Sequence, residues 1–186
     1  MKGPLTGQQL EMLPSTITDW QTWSNRYPET TVVVLSRIGN GYRNKVHRYG
    51  LGGEMGGLLI GLAKGNKSKD WSFSQLRKHP VVNSQFDDEP VLVCFHRASG
   101  TAVIFSRLVD GRELSFEFSD GQLVDRETKT NWDMVTGRAL TPPQNGLQLK
   151  QLTGIVSLTS PWDAFHVFNI SAEIEDEIPP DKADSP

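Results

Sequence analysis

The chain has 186 residues, 37% hydrophobic and 22% charged, with a formal net charge of −3 and a single cysteine. That length and balance fit one globular domain with a core of its own, and they exclude a disordered chain and an intrachain disulfide framework. The longest apolar runs, at 31–35 and 91–95, are strand-sized, far short of the roughly 18–20 residues a bilayer-spanning helix needs.

In chain order, residues 16–27 are predicted as a short helix, capped by Thr18 or Asp19 and ended before Pro28. Trp20, Trp23 and Tyr27 fall at i, i+3 and i+7, on one helical face. The β-branched run at 31–36 reads as a strand, broken at Gly39-Asn40-Gly41. Residues 42–57 carry Gly50, Gly52, Gly53, Gly56 and Gly57 and read as an irregular loop. No helix with Lys-Ser or Lys-Thr follows these glycines, so they are not a phosphate cradle. An apolar run at 58–63 is followed by a hairpin-like Gly65-Asn66 turn into 69–73. Ser72 or Ser74 is then expected to cap a short helix through Leu76 and Lys78, stopped by Pro80.

After an Asp87-Asp88 turn come the strongest strand candidates, 90–95 and 101–108, joined around Ser99-Gly100. Asp110-Gly111 turns into 113–118, where Leu114, Phe116 and Phe118 alternate with Glu113, Ser115 and Glu117. Asp120-Gly121 turns again into 122–125. This meander predicts antiparallel sheet with one face buried and one wet. The expected fold class is therefore mainly β, all-β or α+β, with two or three short helices. The tail at 173–186 has six acidic residues against Lys182. Without it the body holds 18 basic residues (19 − 1) and 16 acidic ones (22 − 6). No basic stripe tracks a phosphate backbone, so nucleic acid is not an expected partner.

A short repeat runs through the chain in register. Gly7, Gln9, Leu10, Leu13 and Trp23 recur as Gly146, Gln148, Leu149, Leu152 and Trp162, each 139 residues later (162 − 23), and Ser157 stands opposite Thr18. Read as a duplication, residues 1–38 are the end of a first copy, 39–172 the main domain, and 173–186 a flexible acidic tail.

The segment 90–162 resembles the bacterial family called domain of unknown function 3179. The resemblance rests on Glu89-Pro90-Val91-Leu92-Val93, Ser99-Gly100-Thr101-Ala102-Val103, Leu123-Val124-Asp125-Arg126-Glu127-Thr128, and Asn131-Trp132-Asp133 with Thr136-Gly137. The opening text, Gly3-Pro4-Leu5-Thr6-Gly7 with Trp20, Trp23 and Tyr27-Pro28, resembles the end of the same family domain. The family implies bacterial origin, frequent export and no established activity. A natural product longer at its N-terminus, with an export signal, is accordingly expected; the alternative is a genuine start at Met1 and a cytoplasmic protein.

Many relatives in that family carry Cys-x-x-Cys just before Gly-Thr-Ala, and those positions here are His96 and Ser99. A redox dithiol is therefore excluded in this copy. His96 is the candidate metal residue, since imidazole can replace a thiolate ligand; the plainer reading is a capped histidine. His47, His79 and His166 show no metal-ligand spacing with it. Cys94 reads as a small buried hydrophobe, two strand residues from His96 and too far away to be activated by it. Asp125 and Glu127 read first as turn chemistry, with Glu127 pairing to Arg126 or Lys129, and second as hard-cation ligands. The five tryptophans read as packing rather than a sugar platform.

The resulting expectation is a non-enzymatic extracytoplasmic binding or scaffold domain with a possible protein partner. The alternative is a metal-binding or redox accessory protein, or an enzyme, whose site is reduced to His96 and Ser99, with Ser99, Cys94, His79, Asp125 and Glu127 as its neighbours. A transition metal is the cofactor the alternative would take, and no cofactor is the first reading.

Overall fold

The computed structural model describes residues 7, 11–32, 57–166 and 169–172. Residues 31 and 32, where the predicted strand begins, are not in strand; its remainder, His47, most of the glycine loop and the acidic tail lie outside the described residues.

The architecture is mainly β, with mostly antiparallel sheets and, among the described residues, three short helices. Its centre is a three-stranded sheet of β3 (Val81–Phe86), β4 (Glu89–His96) and β5 (Thr101–Ser106), in that order. Alternate residues of β4 and β5 enter two different cores. Val91, Val93, Phe95, Ala102 and Ile104 join one, while Leu92, Cys94, Val103 and Phe105 join the other. The expectation of one wet face is thus corrected for these strands. Their apolar runs are continuous because both faces are covered, as buried strands require.

The first cover is a sheet ordered β11-β1-β2-β12, where β1 is Leu58–Lys64, β2 Lys67–Ser72, β11 Ile155–Leu158 and β12 Asn169–Ser171. β1 and β2 form the predicted hairpin around Gly65-Asn66. β11 adds antiparallel to β1, and β12 adds parallel to β2. Helix α2 (Phe73–Lys78), capped by Ser72, puts Phe73 and Leu76 into this core. Helix α3 (Thr159–Phe165) follows β11, and its Trp162 lies over Gly61 of β1. A Cβ at Gly61 would stand 2.3 Å from that indole, so the close approach requires glycine.

The second cover is the sheet β8 (Phe116–Ser119), β9 (Gln122–Asp125) and β10 (Asn131–Trp132). Here one face is buried, through Phe116, Leu123 and Trp132, and the alternation predicted for 113–118 holds in part. Phe118, at the strand's outer end, is exposed. The strand is also divided, because Arg112–Glu113 (β7) pairs with Leu108–Val109 (β6) before the chain crosses to β8. Both Asp-Gly turns have positive φ at both residues (49° and 76°, 50° and 81°), the geometry that matches the twist of a two-residue hairpin. Asn83 of β3 stitches the sheets together. Its amide donates to Phe116 O at 2.7 Å and accepts from Phe116 N at 2.8 Å.

Helix α1 spans Trp20–Arg26, shorter than the predicted 16–27. Thr16, Ile17 and Thr18 are β-branched and stay outside it, and Asp19 caps it by accepting from Thr22 N at 2.8 Å. The aromatic stripe is not its buried face. Trp20 is 55% exposed and Tyr27 40%, and the one buried residue of α1 is Thr22.

Candidate functional site

His96 ends β4 and is half-buried, with its Nδ1 2.7 Å from Ser99 Oγ. Ser99 Oγ lies 2.7 Å from Thr101 Oγ1, and Thr101 Oγ1 donates to Thr18 Oγ1 at 2.8 Å. Ser99 and Thr101 are buried. The direction of this chain follows from counting protons. A hydroxyl has one O–H. Thr101 gives its proton to Thr18, so Ser99 gives its own to Thr101, and His96 must donate Nδ1–H to Ser99. The imidazole lone pair is then on Nε2. Burial, and after it the Arg26 cation, hold His96 below its usual value, which keeps the ring neutral near pH 7.

The second contact at this end joins Arg26 of α1 to Asp133, 107 residues away. Arg26 Nε donates to both carboxylate oxygens at 3.1 and 3.0 Å, and Nη2 stands 2.9 Å from Oδ2. Asp133 Oδ1 also accepts from Val135 N and Thr136 N at 2.9 and 2.8 Å. Burial opposes its charge, but Arg26 and these amides outweigh that and hold the carboxyl below the usual range. Gly137 closes this turn at φ 71°, where a Cβ would meet the Phe105 ring at 2.7 Å. Together the hydroxyl chain and the ion pair fasten the segment carrying α1 to the domain. Gln151 adds bonds to Ser15 O and Thr16 Oγ1 at 3.2 and 3.1 Å.

The other predicted residues lie apart from this cluster. Cys94 is fully buried in the second core, and burial, with the Asp133 charge, pushes its thiol up, away from the thiolate. His79 caps the C-terminus of α2, and His166 caps α3 with its ring 4.0 Å from that of Trp162. Asp125 is fully buried and saturated with donors: Thr128 N and Oγ1, Thr130 N, and Trp132 Nε1 at 2.9 Å. Glu127 is exposed and accepts from Ser115 N at 2.9 and 3.1 Å. The pairing expected for Glu127 is corrected, since Arg126 and Lys129 instead meet Glu117. Among the described residues no group of three or more His, Cys, Asp and Glu side chains is arranged to hold a metal.

Sequence reasoning named His96 and Ser99 but missed Thr18, Arg26, Thr101 and Asp133 as their company. The one signal for Asp133 was its place ahead of Thr136-Gly137, the pattern of an aspartate-capped turn. Among the described residues no helix is long and apolar enough to cross a membrane.

A family model described as protein of unknown function (DUF3179) matches residues 1–53 and 54–174. No curated protein and no solved structure matches the chain.

Proposed function

The chain belongs to the DUF3179 family, and from that premise we propose that it is an extracytoplasmic binding or scaffold domain rather than an enzyme. The observation that carries this reading is the direction of the His96–Ser99–Thr101–Thr18 chain. A general base must accept the proton of its nucleophile. Here His96 donates to Ser99, and the serine's proton is committed to Thr101. The pair that stands where relatives would carry two cysteines acts as a clasp on the α1 segment. That segment carries Leu13, Ile17, Trp20 and Val32, each at least half exposed, more apolar surface than one connecting peptide needs. Export is the part of this proposal that rests on the family resemblance alone.

One observation favours the rival reading, a metal-binding accessory protein. A ring that donates Nδ1–H and keeps its lone pair on Nε2 is oriented as metal-ligating histidines are. Against it stands the Arg26 cation, whose charge disfavours positive charge on the ring. Metal analysis of untagged protein separates the two. The scaffold reading expects no stoichiometric metal in the wild type; one equivalent, lost in His96→Ala, would overturn it.

A further inference from the structure

The sequence repeat has a geometric counterpart. Helices α1 and α3 each have seven residues, and their bounds are related by the same 139-residue spacing (159 − 20, 165 − 26). The residues before them, Asp19 and Leu158, have φ/ψ of −79°/159° and −80°/151°. The residues after them, Tyr27 and His166, have −131°/71° and −122°/75°, and each donates its N–H to the equivalent tryptophan carbonyl at 2.9 Å. Thr30 N donates to Tyr27 O, and Asn169 N to His166 O, both at 3.1 Å. Gly7 and Gly146 share φ of 87° and 90°. Even the ring pairs correspond, with Trp23–Tyr27 at 4.4 Å and Trp162–His166 at 4.0 Å.

The two units differ in what covers them. In the second, the β1–β2 hairpin lies between β11 and β12, and Trp162, 2% exposed, is sealed against Gly61. The equivalents of β11 and β12 in the first unit are residues 16–19 and 30–32, and no strand of the described residues pairs with either. Ile17, the counterpart of core-packed Val156, is 50% exposed, and Val32 is 61% exposed. The first unit also leans on the second in opposite chain direction, with Gln151 meeting Ser15 and Thr16 while Thr153 meets Met12 O. Two copies of one domain make such a contact about a local two-fold axis.

We propose that residues 16–32 are a docking site for a β-hairpin of the β1–β2 type, contributed by a second domain of this family. The hairpin enters between 16–19 and 30–32, antiparallel to the first and parallel to the second, and brings a glycine under the Trp23 indole. Main-chain pairing gives the affinity, and the glycine gives the selectivity. The proposal deepens the binding-domain reading above and rests on it.

The test uses the full chain and a synthetic peptide with the sequence of residues 57–73, closed by a disulfide between a cysteine added at each end, followed by amide chemical shifts. The expected result is saturable binding with shifts at Trp23, Tyr27 and Thr30 and none at Trp162. Ile17→Asp in the chain, or Gly61→Val in the peptide, should each weaken binding about tenfold or more, which is about 1.4 kcal/mol. Ile17 is on the surface, so the first variant keeps its fold, and the second leaves the protein untouched. Failure to bind overturns the proposal, and so does indifference to Gly61→Val. Hydrogen exchange keeps the two readings distinct. Peptide that fails to bind an α1 protected through His96 defeats the docking alone, while an α1 indifferent to His96→Ala defeats the clasp.

Discussion

His96 and Ser99 are joined at 2.7 Å, and because Thr101 donates its proton onward to Thr18 the bond runs opposite to that of a catalytic pair, with the imidazole donating and the hydroxyl accepting. Everything downstream of that bond is a fastening: Ser99 to Thr101, and Thr101 across to Thr18 on the segment that carries α1.

The clasp has a pH signature. His96 is held below its usual 6.5 by burial and then by Arg26, against the weaker pull of Asp133 and Asp19. The unfolded chain therefore binds this proton more readily than the native state. The histidine's contribution is full above about pH 6.5 and is lost as pH falls through the folded value. Melting temperature should drop between pH 7 and pH 5, and His96→Asn should flatten that step. Asp133, with its depressed carboxyl, acts only below about pH 4 and does not enter this window. An unchanged slope in the variant would contradict the assignment.

The ion pair at the other end of α1 should show measurable coupling. Arg26 and Asp133 are about one-fifth exposed on each side and share several oriented bonds. A double-mutant cycle of Arg26→Met and Asp133→Asn is expected to give a coupling of about 1 kcal/mol by urea denaturation, at the upper end for ion pairs that keep some solvent. Strict additivity would mean that the pair does not hold the segment.

Asp125 tests the turn reading against the cation reading. Its carboxylate satisfies two backbone amides, a hydroxyl and an indole in the core. Asp125→Ala leaves these donors buried without a partner, a loss of about 3 kcal/mol or more. Adding calcium to the wild type should leave the unfolding midpoint where it is. A calcium-dependent rise lost in Asp125→Ala would favour the cation-ligand reading instead.

Much of the fold was readable from local chemistry. Gly65-Asn66, Asp110-Gly111 and Asp120-Gly121 announce hairpins because few other pairs accept the positive φ they need. Ser72 announces α2 through its cap. The two-sided burial of β4 and β5 was harder, because a run such as Val91 to Phe95 has no alternation to say which residue faces which core. The α1 stripe of Trp20, Trp23 and Tyr27 misled for a related reason. Periodicity marks an apolar face but does not say what covers it, and here the surface stays open. His96 and Ser99 stood out in the sequence only through the family resemblance. Arg26 and Asp133 are 107 residues apart, and no local pattern links them.

Cys94 should be silent while the domain is folded. It is fully buried, with its thiol pushed up by burial and the Asp133 charge. Ellman's reagent should label it only at the rate of unfolding, tracking urea concentration through the transition. Prompt labelling of native protein would refute the closed core around β4.

The most direct test of the clasp is native-state hydrogen exchange at the α1 amides that bond back into the helix, Trp23 to Asp19 O and Tyr27 to Trp23 O. In His96→Ala and Ser99→Ala these amides are predicted to exchange about tenfold faster or more, while Phe95 and Leu152 in the body keep their wild-type protection. Unchanged α1 protection in both variants would contradict the account.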